Sequence, residues 1–112
     1  MRQIIFDTSF IIACTRKKID FFHDKEVIGM DLLIPEQAIK ELKGLGETLA
    51  LKVIKAHDFQ LVKPEGKDAD AAIIILAKKN RDLIVATLDR GLRKKLKNPV
   101  MQIRGEKQLE IV

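Results

Sequence analysis

The chain has 112 residues, 46% hydrophobic and 33% charged, and its 21 Lys+Arg against 16 Asp+Glu give a formal net charge of +5. That length supports one core without the disulfides or metals that chains below roughly 40 residues need, and the composition excludes a disordered tail or a membrane-embedded class. The single cysteine, Cys14, excludes an internal disulfide framework and a Cys-rich zinc site; set in an apolar stretch, it reads as a buried, inert thiol.

The first strand is expected at Gln3–Phe6, whose β-branched centre suits burial on both faces. A helix from Phe10 to about Phe22 follows, with Ser9 as its N-cap. Leu32–Ile34 is a second strand, and Pro35 opens a helix that runs to about Lys43 before Gly44 and Gly46 break it. Leu49, Ala50, Val53, Ile54 and His57 fall on one face of the next helix. Phe59–Val62 is a third strand. Asp70–Asn80 is a helix apolar on more than one side, Leu83–Ala86 a fourth strand and Arg90–Leu96 a short basic helix. Val100–Ile103 and Leu109–Val112 complete the series.

This alternation implies an α/β fold: a three-layer α/β/α sandwich around a mostly parallel sheet of four to five strands, as one domain over residues 1–112. Asp7 interrupts the apolar N-terminal run and no small-residue cleavage site follows it, so no targeting signal is read there. No run approaches the about 18 apolar residues of a membrane span. A soluble protein of a reducing, cytoplasmic compartment, without a membrane partner, is expected.

Open parallel sheets bind ligands beyond the C-terminal ends of their strands, where the strand order reverses. Asp7 follows the first strand, Glu41 lies in the helix after the second, Asp70 opens the apolar helix and Asp89 follows the fourth strand. Brought together, such carboxylates repel, and an all-oxygen set suits a hard divalent ion such as Mg²⁺ or Mn²⁺ that can activate water and align a phosphodiester. Each also has a structural reading: Asp7 as a turn acid, Glu41 as a helix acid bordering the apolar stripe, Asp70 and Asp89 as helix caps. His23 and His57 have neither partner nor spacing for metal or nucleophilic work and read as structural or surface residues. A receiver-like phosphoacceptor domain is excluded by the single acid after strand one and by Val62-Lys63-Pro64 at the end of strand three.

In the segments IIFDTSF, LLIPEQAIKEL, DADAAIIILA and VATLDRGLRKKL, in that order, the chain resembles the PIN-domain nucleases over nearly its whole length. The resemblance implies metal-dependent RNA hydrolysis with Mg²⁺ or Mn²⁺. Asp7, Glu41, Asp70 and Asp89 would serve as catalytic metal ligands, and Ser9 and Thr87 as hydrogen-bonding supports for them. Asp68, two residues before Asp70, competes for the third position. Two groups within the family fit: nucleases that process small-subunit ribosomal RNA, and VapC-type toxins of toxin–antitoxin pairs. The implied partners are RNA, a second copy of the chain, and a pre-ribosomal particle or an antitoxin.

Arg90, Arg93, Lys94, Lys95 and Lys97 directly follow Asp89, and cations beside an acidic metal site are what a phosphodiester substrate needs. Arg16, Lys17 and Lys18 form a second basic group; Lys78, Lys79 and Arg81 read as a solvated face. With no Trp or Tyr, base stacking contributes little, and backbone or shape is what the chain reads. A module that keeps the fold and the RNA affinity but cleaves weakly is the alternative.

Overall fold

The computed structural model describes residues 2–112. Its strands β1 (Gln3–Phe6), β2 (Asp31–Pro35), β3 (Gln60–Val62), β4 (Ile84–Ala86), β5 (Val100–Arg104) and β6 (Gln108–Ile111) form one sheet in the order β3-β2-β1-β4-β5-β6. All pairs are parallel except β5 with β6. The sheet has six strands where four to five are expected, because the chain turns back at Gly105, held at φ 61°, and adds an antiparallel edge. A left-handed φ of this kind is readily adopted only by glycine.

The helices are α1 (Thr8–Lys17), α2 (Glu36–Gly44), α3 (Thr48–Lys55), α4 (Ala69–Lys79) and α5 (Arg90–Lys94). Side-chain alternation along the strands explains the layers. Ile4 and Phe6 of β1, Ile34 of β2, and Ile84 and Ala86 of β4 pack with Phe10, Ile11 and Cys14 of α1, Ala38 and Leu42 of α2, and Ala50 and Ile54 of α3. Their neighbours Ile5, Leu33 and Val85 face the other way, onto Ile73 and Ala77 of α4 and Leu92 of α5. The apolar runs of β1, β2 and β4 therefore serve two separate cores, one on each face of the sheet, whereas Gln60 and Leu61 of the edge strand β3 are exposed.

Both boundaries of the first helix differ from expectation for identifiable reasons. The first helix begins at Thr8, so Ser9 lies inside its first turn and is not its cap. It also ends at Lys17, not near Phe22. Lys18 takes a left-handed conformation (φ 59°), with Ile19 N–H donating to Cys14 O and Lys18 N–H to Thr15 O. That is a Schellman turn, here without the glycine that usually signals it. Phe21 and Phe22 thus reach the core from a loop, where Phe21 packs against Phe6 and Phe10. Cys14 is fully buried; desolvation, and then the charge of Asp24, push its thiol up to about 12, so it is inert.

Candidate active site at the sheet switch point

Strand order reverses between β1 and β4, and the first acidic side chain stands there. Asp7 directly follows β1, and its N–H donates to Ala86 O at the end of β4 (2.9 Å). Asp7 is the residue before α1, yet its side chain makes no capping bond. Its Oδ2 instead accepts from Ser9 Oγ and from Thr87 Oγ1, each at 2.8 Å. Thr87 Oγ1 in turn accepts from Asp89 N–H at 3.0 Å. The two hydroxyls expected as supports therefore meet on one oxygen of Asp7, and the Thr87 bond joins residues 80 apart in sequence.

Glu41 is clamped between two other elements. Its Oε1 accepts from Thr8 Oγ1 (2.8 Å), and its Oε2 from the N–H of Ala69, the first residue of α4 (2.7 Å). Thr8 is buried, and sequence reasoning assigned it no role. The available signal was its place inside Asp7-Thr8-Ser9: the N-terminus of α1 turns it towards α2 while Ser9 turns back to Asp7.

The choice between Asp68 and Asp70 follows from helix geometry. Asp68 precedes α4, and its Oδ1 accepts from Ala71 N–H (2.9 Å), so Asp68 is the cap. Asp70, in the first turn, makes no such bond and is left to the acidic group. The loop before it is tightly fixed. Gly66, at φ 128°, lies so close to α4 that an added Cβ would stand 2.7 Å from Ala72 N. Gln37, one turn before Glu41, donates Nε2 to Pro64 O and Gly66 O. For Asp89 the capping reading holds for one oxygen: Oδ1 accepts from Leu92 N–H at the start of α5.

Electrostatics show that the four acids share a field. Asp70 is raised to about 6, first by desolvation and then by the charges of Asp7, Asp89, Asp68 and Glu41. Asp7, 3% exposed, is raised by burial; its hydrogen bonds from Ser9, Thr87 and the Thr8 backbone oppose this, and Glu41 adds to it. Among the described residues, no three of the four acids place one oxygen each within 4.8 Å of one another. An ion among them would be held partly through ordered water or after side-chain rotation. The donor set, oxygen only and mutually repelling, is one that a hard dication fits and relieves.

Arg90, Arg93, Lys94, Lys95 and Lys97 are all exposed, and α5 covers only the first three of them. Among the described residues none pairs with a carboxylate; Arg93 donates to Gln102 Oε1 at 2.6 Å. Their charge is open to a ligand beside Asp89. His23 and His57, expected to have no partner, are brought together with Asp20 elsewhere on the molecule. Folding alone closes the long sequence gap between them.

The architecture is thus a sheet with helices on both faces and an acidic, oxygen-only site at its switch point. The chain belongs to the PIN like domain family, whose model matches residues 4–106. It is 34% identical to the protein named ribonuclease VapC4 from Methanocaldococcus jannaschii, in a comparison covering 99% of this chain and 97% of that one. Among solved structures it is similar in fold to the PIN domain endonuclease Utp24, with a TM-score of 0.79 at 24% identity, over 97% of this chain and 90% of that one. Among the described residues no helix is long and apolar enough to cross a membrane.

Proposed function

We propose that the chain is a metal-dependent endoribonuclease. The observation that carries this reading is the convergence of Asp7, Glu41, Asp70 and Asp89, from four segments, so that the charges of the other three add to burial in raising Asp70 to about 6. The ribonuclease named among its relatives supports it. Asp7, Glu41, Asp70 and Asp89 would hold Mg²⁺ or Mn²⁺ or waters bound to it. When bound, such an ion supplies an activated water and neutralises charge at phosphorus. Ser9 and Thr87 fix Asp7 Oδ2, while Thr8 and the Ala69 N–H fix Glu41, so the carboxylates keep their geometry as charge develops. Arg90, Arg93, Lys94, Lys95 and Lys97 would grip the RNA backbone beside Asp89. In-line hydrolysis would leave 5′-phosphate and 3′-hydroxyl ends.

Two settings fit this activity. Ribosomal RNA processing, with a pre-ribosomal particle as partner, rests on the basic helix that follows Asp89 directly. The toxin setting, with an antitoxin as partner, rests on the likeness to ribonuclease VapC4 over almost the whole of both chains. Growth arrest on expression, relieved by the product of a neighbouring gene, would decide for the toxin.

The deciding assay is incubation of purified protein with a structured RNA and Mg²⁺ or Mn²⁺, with EDTA and Asp7→Asn as controls. Cleavage abolished by both controls is expected. Cleavage that survives both belongs to a contaminant and sinks the nuclease reading, and tight RNA binding without cleavage would make the chain a binding module.

A further inference from the structure

The far end of the sheet carries a second set of chemistry-bearing side chains. α1 links the parallel strands β1 and β2, so its C-terminus lies at their starting end; α3 delivers the chain to the start of β3. Asp20 and His23 come from the connection after α1, and His57 from the connection after α3. All three therefore sit at the N-terminal edge of the strands, away from Asp7 and Asp89 at the opposite edge. One ligand atom from each lies within 4.8 Å of the other two.

We propose that Asp20, His23 and His57 form a binding site for a borderline divalent metal ion of the zinc class, separate from the acidic site. The ligand types decide the class: imidazole nitrogen suits zinc, nickel or copper, whereas magnesium takes oxygen. His57 is already oriented. Its Nδ1 lies 2.7 Å from Val53 O, which fixes the proton on that nitrogen and leaves the lone pair on Nε2. Its ring stacks on buried Phe22, with centroids 4.4 Å apart and planes within 5°. The His23 ring centroid stands 5.0 Å from that of His57.

Asp20 Oδ2 and His23 Nδ1 are 2.8 Å apart, whereas two ligands of a tetrahedral zinc stand about 3.3 Å apart. The pair must open by about half an ångström, which its exposure permits, the side chains being 58% and 70% accessible. Water completes the coordination from the cleft lined by Phe22, His23, Leu32, Ala56, His57 and Asp58. An ion held there clips the connection after α1 to the end of α3. Because the unfolded chain holds no such site, binding stabilises the fold.

The test uses the full chain carrying Asp7→Asn and Asp70→Asn, which weakens the acidic site, with its fold checked by circular dichroism. Zn²⁺ is titrated by calorimetry, Co²⁺ by visible absorption, and thermal unfolding is followed with each ion and with Mg²⁺. Expected are one equivalent of Zn²⁺ with Kd of about 10 µM or tighter, tetrahedral Co²⁺ bands, and a Tm that rises with Zn²⁺ but not with Mg²⁺. Adding His23→Gln, at an exposed position, should weaken binding roughly tenfold or more; His57→Gln should do the same. Absence of saturable binding below about 100 µM, or binding unchanged in both histidine variants, overturns the proposal. No readout is RNA cleavage, so the outcome is independent of the nuclease reading.

Discussion

At the C-terminal end of the parallel strands, Asp7, Glu41 and Asp89 are held by hydrogen bonds from other elements, and their charges repel that of Asp70. At the N-terminal end, Asn98 donates Nδ2 to the carbonyls of Ala77, Asn80 and Leu83, at 3.2, 2.9 and 3.0 Å, and so closes the end of α4 over the starts of β4 and β5. That amide has two hydrogens for three acceptors, and its donor capacity is fully committed to structure. The carboxylates, by contrast, keep acceptor lone pairs and unneutralised charge. A site is recognised here by what its polar groups leave unmet, while an anchor is recognised by complete satisfaction.

If the contrast holds, substitutions at the two ends separate into activity and stability effects. Asp7→Asn keeps the shape but removes the charge, and RNA cleavage with Mn²⁺ should fall by about 10²–10⁴-fold with little loss of stability. Asn98→Ala should do the reverse. Unfolding free energy should drop by about 1–3 kcal/mol in urea titrations as the carbonyls lose their donor, while cleavage per folded molecule stays constant. A large cleavage defect in Asn98→Ala would break the division between the two ends.

Thr8→Val sharpens the comparison, because Thr8 belongs to both categories: buried, yet bonded to Glu41. Cleavage should fall by roughly tenfold and stability by about 1 kcal/mol, read in parallel assays. The double variant Lys94→Ala/Lys95→Ala should lower the slope of log K against log salt for single-stranded RNA by about 1.4, some 0.7 for each phosphate that is no longer neutralised.

The smallest effect concerns pH. In EDTA, Asp70 titrates near 6 in the folded chain against 3.8 ordinarily, so the folded state binds its proton more readily. Its destabilising contribution is complete above about pH 6 and is relieved as pH falls from there towards 3.8. Asp7, raised mainly by burial, acts in the same direction. Differential scanning between about pH 7 and pH 5 should show this relief in the wild type and less of it in Asp70→Asn, which should melt slightly higher at neutral pH; partial exposure of Asp70 keeps the change small.

Much of the fold was legible because alternation and helical periodicity are local properties. Gln3–Phe6 coincides with β1, and Asp70–Asn80 differs from α4 by one residue at each end, the start set by the Asp68 cap. The premature end of α1 was not legible: the Schellman turn at Lys18 uses a residue that carries no turn signal. In the acidic site, the order of Asp7, Glu41, Asp70 and Asp89 could be read from their segments. The bond from Thr8 to Glu41 could not, since it depends on how α1 and α2 pack over the sheet.

By itself the sequence determined the α/β alternation, the doubly buried β1 and β4 and the acids that follow them, Asp7 and Asp89, because each follows from side-chain type repeated at short range. Only the tertiary structure decided that Asp68 caps while Asp70 is left to the shared field, that two hydroxyls converge on one oxygen of Asp7, and that His23 meets His57 at the other end of the sheet. The Asp68 cap and the Ser9 bond are local contacts, but the field on Asp70, the Thr87 bond to Asp7 and the meeting of the histidines join segments far apart in the chain, and a sheet crossover sets such distances where no local pattern encodes them.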